Sequence, residues 1–590
     1  MRIRYLFQIA TFFFSLNMTG QTIPHWNWTR DVLCSGTTNS SNGFSLHTDA
    51  GGNIFVAGYF QGTITLGSTV HTATSSNDAL IIKYNPQGNV IWSASAHGTG
   101  MENATCITTD ASGNVYVAGN ISSNATFGSL TATNLFTGWS QIFFAKYDPN
   151  GNIIWVKTCG GQGNDYVEDI DMDEAGNIYL AGSFAQTAIF GALTAISAGG
   201  QDAFIAKFDT AGNAIWVNTG SSKILDAGYS VSCDQNGGVY FAGYFSDTAS
   251  FSGQQMISAG NYDIFWSKYD TAGNIQYLRR AGGPENDYGY GITALSSGVI
   301  HVTGGFGNTV SFGSNVLTSA GFTDGFLIRC DPAGDPVTAS RFGGTGSDYG
   351  YDIDRASNSG VVMSGYFDGK MNIGSSNLTS AGSRDAFAGG FAFDCSNQWA
   401  VRAGGIGFDQ SYGVAYAPGE TYYFTGSYTN QSTFGPDTLN CGAHTTLFLS
   451  KLHNCESITV SSPQGYCLTN GATSLTFSVT SANPSYNYYW NPGGYTGSAI
   501  TVTPSVTTDY TVTADDGAGC VLYGNTTAIV ESVSSFSVAT NSDTICSGNP
   551  VNLFSNWGFN NVLPAPTSYC TPSNGNNADE QIKAVSFGSM

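Results

Sequence analysis

Gly176-Asn177-Ile178-Tyr179-Leu180-Ala181-Gly182-Ser183-Phe184 reads as a turn followed by a buried strand. Its second glycine returns as Gly58, Gly119, Gly182, Gly243, Gly304, Gly365 and Gly426, at successive spacings of 61, 63, 61, 61, 61 and 61 residues. Seven copies at so regular a period make a repeat architecture the first reading of the chain. The strand is apolar on both faces: Ile178 and Leu180 point one way, Tyr179 and Ala181 the other. A strand buried on both sides belongs to a sheet packed between two others. The residue before the glycine is always small (Ala57, Ala118, Ala181, Ala242, Thr303, Ser364, Thr425), which lets neighbouring sheets approach.

Around this strand the copy from Asp165 to Thr219 divides into four strands. They are Val167 to Met172, Ile178 to Phe184, Ala203 to Phe208 and Ala214 to Asn218, with a polar segment containing Phe190-Gly191 in the middle. Two turns, Asp173-Glu174-Ala175-Gly176-Asn177 and Asp209-Thr210-Ala211-Gly212-Asn213, join them. Asp hydrogen-bonds the backbone two residues on, and Gly takes the left-handed conformation that ends the loop. A calcium loop needs alternating acidic residues and a distant Glu, which these turns lack. Four antiparallel strands per unit, repeated seven times and packed face to face, predict an all-β fold, a seven-bladed β-propeller. An open solenoid is the rival, but solenoids carry atypical end repeats, and these show little sign of them.

Phase predicts how the ring closes. The fourth strand carries an aromatic at Trp92, Trp155, Trp216, Tyr277 and Trp399, yet none comes after the seventh copy's third strand, Thr446 to Leu452. Trp26-Asn27-Trp28-Thr29-Arg30, at the other end of the chain, supplies it. Closure of this kind removes exposed sheet edges.

The units resemble the seven-bladed β-propeller (SBBP) repeats of secreted bacterial proteins. The motif Asp202-Ala203-Phe204-Ile205-Ala206-Lys207-Phe208-Asp209 followed by Gly212-Asn213-Ala214-Ile215-Trp216 carries the resemblance, over about residues 25 to 453. It implies the propeller fold and export, and no defined biochemical role. Copy five departs with Cys330 and Pro336, and copy six with Gly389-Gly390, so those two blades are expected to be less regular.

Export agrees with the start of the chain. Arg2 and Arg4 precede an apolar run from Tyr5 to Leu16 that is too short to span a bilayer, and cleavage after Gly20 fits a signal peptide of residues 1–20. No later apolar run is long enough for a membrane-spanning segment. Of 590 residues only 10% are charged, 13% are aromatic and 76 are Gly, a mix suited to short strands and tight turns. The net charge of −22 argues against nucleic acid and anionic membranes. The expected location is therefore secreted, extracellular or on the outer cell surface. The 12 Cys show no C-x-x-C spacing, and the seven His never fall three or four apart, so a metal centre finds no support.

Composition changes after His453, giving a propeller over 21–453 and a second region over 454–532. Ser474 to Val479, Tyr488-Tyr489-Trp490, Ile500 to Thr503 and Tyr510 to Thr513 alternate like strands between Cys467 and Cys520. The Cys-Trp-Cys order resembles Ig-like and PKD-like modules of bacterial surface proteins, without the WDFGDG signature of true PKD repeats. The resemblance implies a spacer β-sandwich with a Cys467–Cys520 disulfide between its sheets. Residues 533–590 begin a second such module, with Cys546 matching Cys467. From Tyr569 they resemble the opening of a GEVED domain, whose defining motif would lie beyond Met590.

The chain has no G-x-S-x-G elbow, H-E-x-x-H or P-loop, and no S-x-D-x-G-x-T-W box. Two acidic features stand out. One is the cluster Asp165, Glu168, Asp169, Asp171, Asp173 and Glu174, in which Asp169, Asp171 and Asp173 share a strand face. The other is a position that reads Ser41, Glu102, Asp165, Asp226, Asp287, Asp348 and Asp409 down the seven copies. If the first strands line the central channel, the second feature forms a carboxylate ring at one mouth. That ring either holds blades in register through backbone hydrogen bonds, or binds a polar ligand or Ca2+; no other cofactor is expected. The function expected is a non-catalytic surface propeller that binds an extracellular protein, glycan or matrix component. The alternative is an extracellular carbohydrate-active hydrolase or lyase at the channel mouth, where paired carboxylates would serve glycoside chemistry. An enzyme usually breaks its symmetry with a long insertion in one blade, and spacings that vary by two residues favour binding.

Overall fold

Asp-Gly turns and period-2 apolar patterning build strands throughout. The computed structural model describes residues 24–32, 34–35, 40–356, 360–418, 421–453, 455, 457–467, 474–481, 483–516, 520–531, 538–540 and 553–555, and no helix occurs among them. The signal-peptide reading of residues 1–20 and the GEVED reading from Tyr569 fall outside the described residues. Two compact units are present, Met1–Asn454 and Cys455–Met590.

The first unit is a β-propeller. In its third blade Tyr166–Met172, Ile178–Phe190, Leu193–Phe208 and Ala214–Ser221 pair in antiparallel order. The inner strands Ser41–Thr48, Glu102–Thr109, Tyr166–Met172, Ala227–Cys233, Asp287–Ala294, Tyr349–Ala356 and Gln410–Ala417 each pack against the next, and the last packs against the first. That circle of contacts rules out an open solenoid. Turn chemistry is as the residues dictate: Asn177 N donates to Asp173 Oδ1 at 2.8 Å, and Gly176 adopts φ 82°.

His25–Asp31 completes the seventh blade, running antiparallel to Asp437–His453 from His25↔His453 to Asp31↔Phe448. Trp26 is buried between Phe424 and Phe434, with ring centroids 5.7 and 5.9 Å away, and its Nε1 donates to Arg402 O at 3.3 Å. Trp28 covers the first-blade turn at Gly88, where an added Cβ would lie 2.8 Å from the indole. Trp92, Trp155 and Trp216 cover Gly151, Gly212 and Gly273 of the following blade in the same way. The terminal strand therefore repeats the inter-blade contact as well as the sheet pairing.

Blades five and six keep four strands, contrary to the irregularity expected. Pro336 opens its strand, where its missing N–H is tolerated. Gly390 leaves the space that the Trp399 indole fills; a Cβ there would come within 2.2 Å of it. A further departure is that the segment containing Phe190-Gly191 is strand. In blades three to seven the second and third strands run on as arms past residues of positive φ (Gln186 56°, Asp247 52°, Asn308 55°, Gly369 71°, Asn430 61°). The arms pair with the preceding blade's fourth strand, as Gly160↔Ile189 to Gln162↔Thr187, so backbone hydrogen bonds cross the blade boundary.

The recurrent glycine has a sharper cause than close packing of sheets. Each inner strand carries a β-bulge opposite it, between Val167 and Asp169 in blade three. The bulge drives a carbonyl towards the glycine Cα. A Cβ on Gly182 would lie 2.0 Å from Tyr166 O, and one on Gly304 1.9 Å from Tyr288 O, with values of 1.9 or 2.0 Å in all seven blades. We expect Gly304→Ala to destabilise the protein by about 1–3 kcal/mol through overpacking, read as a lowered midpoint of denaturant unfolding.

The second unit has two sheets. Ile458–Val460, Leu475–Ser481 and Ala499–Val502 form one; Gln464–Cys467, Val521–Glu531, Thr508–Asp515, Asn487–Asn491 and Tyr495–Thr496 form the other. They share a core of Phe477, Val479, Trp490, Val502, Tyr510 and Val512. The expected Cys467–Cys520 bond is not the one formed: Cys520 is bonded to Cys455, with Cα atoms 5.5 Å apart. The reason lies in register. Gln464–Cys467 runs parallel to Val521–Glu531 with Cys467 opposite Glu531, at the far end of that strand from Cys520. Eleven strand residues span roughly 35 Å, far beyond the ~7 Å Cα limit for a disulfide. Val538–Thr540 and Leu553–Ser555 pair antiparallel.

Candidate functional site

The bulges decide what faces the axis. In a bulge two residues oppose one on the partner strand, and the extra residue is re-aimed out of the ladder. The seven bulged residues are Phe44, Thr105, Glu168, Tyr229, Tyr290, Tyr351 and Tyr412. Neighbours in this series touch across blades. Ring centroids lie 4.9 Å apart for Tyr229–Tyr290, 5.0 Å for Tyr290–Tyr351, 5.3 Å for Tyr351–Tyr412 and 5.9 Å for Tyr412–Phe44. Five of seven positions thus form an unbroken aromatic arc, and Thr105 and Glu168 occupy the gap.

A second aromatic layer extends the arc. Tyr244 lies 5.6 Å from Tyr229, Tyr288 stacks 5.6 Å from Tyr290, Tyr366 is 5.4 Å from Tyr351, and Tyr59 is 5.7 Å from Phe44. The Arg384 guanidinium sits 3.8 Å over Tyr366 and donates to Asp368 Oδ1 at 3.0 Å. Blades two and three, with the adjoining edge of blade one, are different. There Gln61 Nε2 donates to Asn77 Oδ1 at 2.7 Å, Asn77 Nδ2 to Asn103 Oδ1 at 3.0 Å, and Asn120 Nδ2 to Asp165 O at 2.9 Å. Seven-fold backbone symmetry therefore carries a two-sided surface, aromatic on one side and amide on the other.

Beyond the bulge, inner-strand carboxylates stitch blade three to blade four and blade six to blade seven. Asp169 Oδ2 accepts Val231 N at 2.8 Å and Ser230 Oγ at 2.9 Å; Asp171 Oδ2 accepts Cys233 N at 2.7 Å. Asp352 and Asp354 accept Val414 N and Tyr416 N, both at 2.8 Å. Burial pushes Asp169 up to about 6 and Asp171, Asp352 and Glu168 up to about 7, and neighbouring carboxylates add to the rise for the last three. Of the acidic cluster, Asp173 instead closes a turn, accepting Tyr179 OH at 2.9 Å.

The position Ser41, Glu102, Asp165, Asp226, Asp287, Asp348 and Asp409 lies at the blade junctions, and all seven side chains are fully buried. Asp165 accepts Gly161 N of the preceding blade at 2.7 Å and Ala185 N of its own at 3.2 Å. Asp287 takes Gly283 N at 2.6 Å and Gly307 N at 3.1 Å; Asp348 takes Gly344 N at 2.8 Å and Asp368 N at 3.2 Å. Asp409 takes Gly405 N at 2.7 Å and Ser432 Oγ at 2.7 Å; Asp226 takes Ser246 N at 2.8 Å and Ser222 Oγ at 3.0 Å. Glu102 takes Gly98 N at 3.0 Å, and Ser41 Oγ donates to Val32 O at 3.1 Å. The carboxylates are thus spread around the ring, one to a junction, and among the described residues no three His, Cys, Asp or Glu gather as a metal site. We expect Asp287→Ala to cost about 1–3 kcal/mol, because buried N–H groups are left unmet. The loss should be the same in calcium and in chelator; a melting temperature raised by calcium in the wild type alone would argue for a cation on this ring.

Burial also pushes Glu102, Asp165, Asp226, Asp287 and Asp348 up to about 7 and Asp409 to about 6, against the N–H donors that pull them down. A carboxyl raised in the fold contributes stability that is present below its ordinary value and is lost as pH rises through the folded one. His47 and His301, lowered by burial to about 4, act the other way between pH 4 and 6.5. Carboxyls outnumber them, so the propeller should melt at a higher temperature at pH 5 than at pH 8. A melting temperature that climbs over that interval would refute this.

A second acidic row was not read from the sequence. Asp78, Asp202, Asp263, Asp324 and Asp385 lie on the third strands, just before their apolar inner halves, and are fully buried. Arg280, Arg341 and Arg402 pair with Asp263, Asp324 and Asp385. The aromatic arc was missed as well. Its signal was present as an inner-strand position whose backbone role is constant while its side chain runs Phe, Thr, Glu, Tyr, Tyr, Tyr, Tyr.

No family profile matches the chain. It is 22% identical over 500 residues to an uncharacterized WD repeat-containing protein of Acanthamoeba polyphaga mimivirus, covering 67% of this chain and 35% of that protein. The chain thus spans about a third of the length of that relative. Among solved structures it is similar to the extracellular domain of a hybrid two-component system of B. thetaiotaomicron, at 11% identity and a TM-score of 0.24, covering 83% of this chain and 73% of the other. It is also similar to a DUF4221 member of Bacteroides vulgatus, at 11% identity and a TM-score of 0.27, covering 57% and 93%. WD repeats build propellers, in keeping with the closed ring of inner strands. No helix among the described residues is long and apolar enough to cross a membrane.

Proposed function

We propose that this chain is an exported, non-catalytic binding propeller of the SBBP type. In this reading the aromatic mouth takes an extracellular protein, glycan or matrix component, and the second unit serves as an Ig-like spacer. One observation carries the proposal: the bulge position keeps its backbone in all seven blades but is aromatic in five consecutive ones. Blade packing makes the same demand of every blade, so packing does not account for the bias. Exposed apolar side chains beside it add support. Phe408 is 57% exposed and lies 5.9 Å from the Arg384 guanidinium. Asp169, Asp171, Asp352 and Asp354 on the inner strands are held by backbone N–H groups, which suits a wall better than a movable nucleophile or acid. Export is supported by the signal-like N-terminus and by the disulfide.

The test is to print extracellular glycans and surface proteins, probe them with the full chain, and repeat with Tyr290→Leu and Tyr351→Leu. Ligands retained by the wild type and lost by both variants, with melting temperatures kept, support the mouth as the site. Binding that survives both substitutions places it elsewhere and rejects the proposal.

A further inference from the structure

The gap in the aromatic arc holds the observation that goes furthest. Thr105 is committed, its Oγ1 donating to Val167 O at 2.7 Å. Glu168 is not: among the described residues its carboxylate accepts no hydrogen bond and faces no cation, and its surroundings supply only burial and the like charge of Asp169. A half-buried carboxylate without a protein partner has lost part of its hydration and gained no counter-charge. Asp169, one residue on, differs in taking two donors.

The electrostatics of the site define the group that would complete it. The faces of tyrosine rings are negative, and a ring of them with a carboxylate is the arrangement that attracts ammonium groups. The guanidinium that lies over the second aromatic layer, Arg384, is already held by Asp368 and Tyr366. Asp169, Asp171, Asp352 and Asp354 add negative charge along the inner strands, and the whole chain carries −22. An anionic ligand would be repelled. A neutral sugar would find stacking faces but would leave Glu168 without its counter-charge.

We propose that the propeller mouth binds an alkylammonium group, which packs against the arc Tyr229, Tyr290, Tyr351 and Tyr412 and pairs with the Glu168 carboxylate. This rests on the reading of the mouth as the binding site, and it names the ligand chemistry of that site.

The experiment is calorimetric titration of the full chain with choline and with 3,3-dimethylbutan-1-ol, its uncharged isostere, in low salt. Choline should bind at least about tenfold more tightly than the isostere, and 0.5 M salt should weaken it. Glu168→Gln should reduce choline affinity about tenfold without touching the isostere, while leaving the melting temperature unchanged or higher. Tyr290→Leu should weaken choline several-fold with the fold intact. Equal affinity for the two probes, or a Glu168→Gln variant that binds choline like the wild type, would overturn the ammonium assignment. So would an uncharged oligosaccharide bound in a Tyr290-dependent way with no choline binding; that result keeps the mouth as a site and removes only its charge preference. If no probe binds the wild type in a Tyr290-dependent way, both readings are overturned.

Discussion

A chain shortened to begin at residue 32 should open the ring, eluting as aggregate and unfolding at a far lower temperature than the full protein. The strand His25–Asp31 covers the edge of Asp437–His453 over its last six residues, from His25↔His453 to Asp31↔Phe448. Without it that edge presents a row of unpaired N–H and C=O groups, the template for association with another chain. Side chains add to the loss. Tyr428 OH donates to Asp31 Oδ2 at 2.7 Å, and Thr29 N to Asp437 Oδ2 at 2.7 Å. Trp26→Ala alone should cost about 3–5 kcal/mol, since the ring is buried between Phe424 and Phe434 and Phe/Trp→Ala in cores falls in that range. Size-exclusion chromatography and thermal melts of the two variants decide the matter. A shortened chain that stays monomeric and melts with the wild type would show that the seventh blade closes without this strand.

Removing the Cys455–Cys520 bond should have the next largest effect, about 2–5 kcal/mol, confined to the second unit. The bond closes a loop of 65 residues, and the chain-entropy account places a loop of this length at about 4 kcal/mol. Its surroundings are small: Tyr486 and Ala514 are the other fully buried members of its cluster. Cys520→Ser and Cys455→Ser should lower the transition of the second unit equally, and the double variant no further. Cys467→Ser should leave the bond in place, as judged by the Cys455–Cys520 peptide in a non-reducing digest. A Cys467–Cys520 peptide in that digest would reverse the assignment.

The two predictions differ in how far the residues foretold them. Ring closure was legible because it is a matter of phase: a strand type missing at one end of a strictly periodic chain is present at the other. Turn positions and buried second strands were legible for the same kind of reason, since Asp, Gly and alternating apolar residues act within a few positions of themselves. The disulfide was not legible. Cys-Trp-Cys order records succession along the chain, and whether Cys467 reaches Cys520 depends on the parallel register that sets it opposite Glu531.

The candidate site divides in the same way. The recurrent glycine and the recurrent acidic position both stood out as periodic signals, and both proved to serve the frame: one clears space for a bulge carbonyl, the other accepts N–H groups across a blade junction. Only the tertiary structure decided which residue each bulge turns towards the axis. A bulge adds one residue to one strand and reverses the facing of the residues beyond it, so inward and outward positions cannot be counted from alternation alone. Once seven inner strands close into a ring, Tyr229, Tyr290, Tyr351 and Tyr412, 61 residues apart in sequence, stand about 5 Å from their neighbours, and Glu168 falls into the gap beside them. The period of the chain determined the frame, because every blade needs the same backbone contacts. Closure of the ring decided the site, because only closure brings together side chains that the period keeps a blade apart.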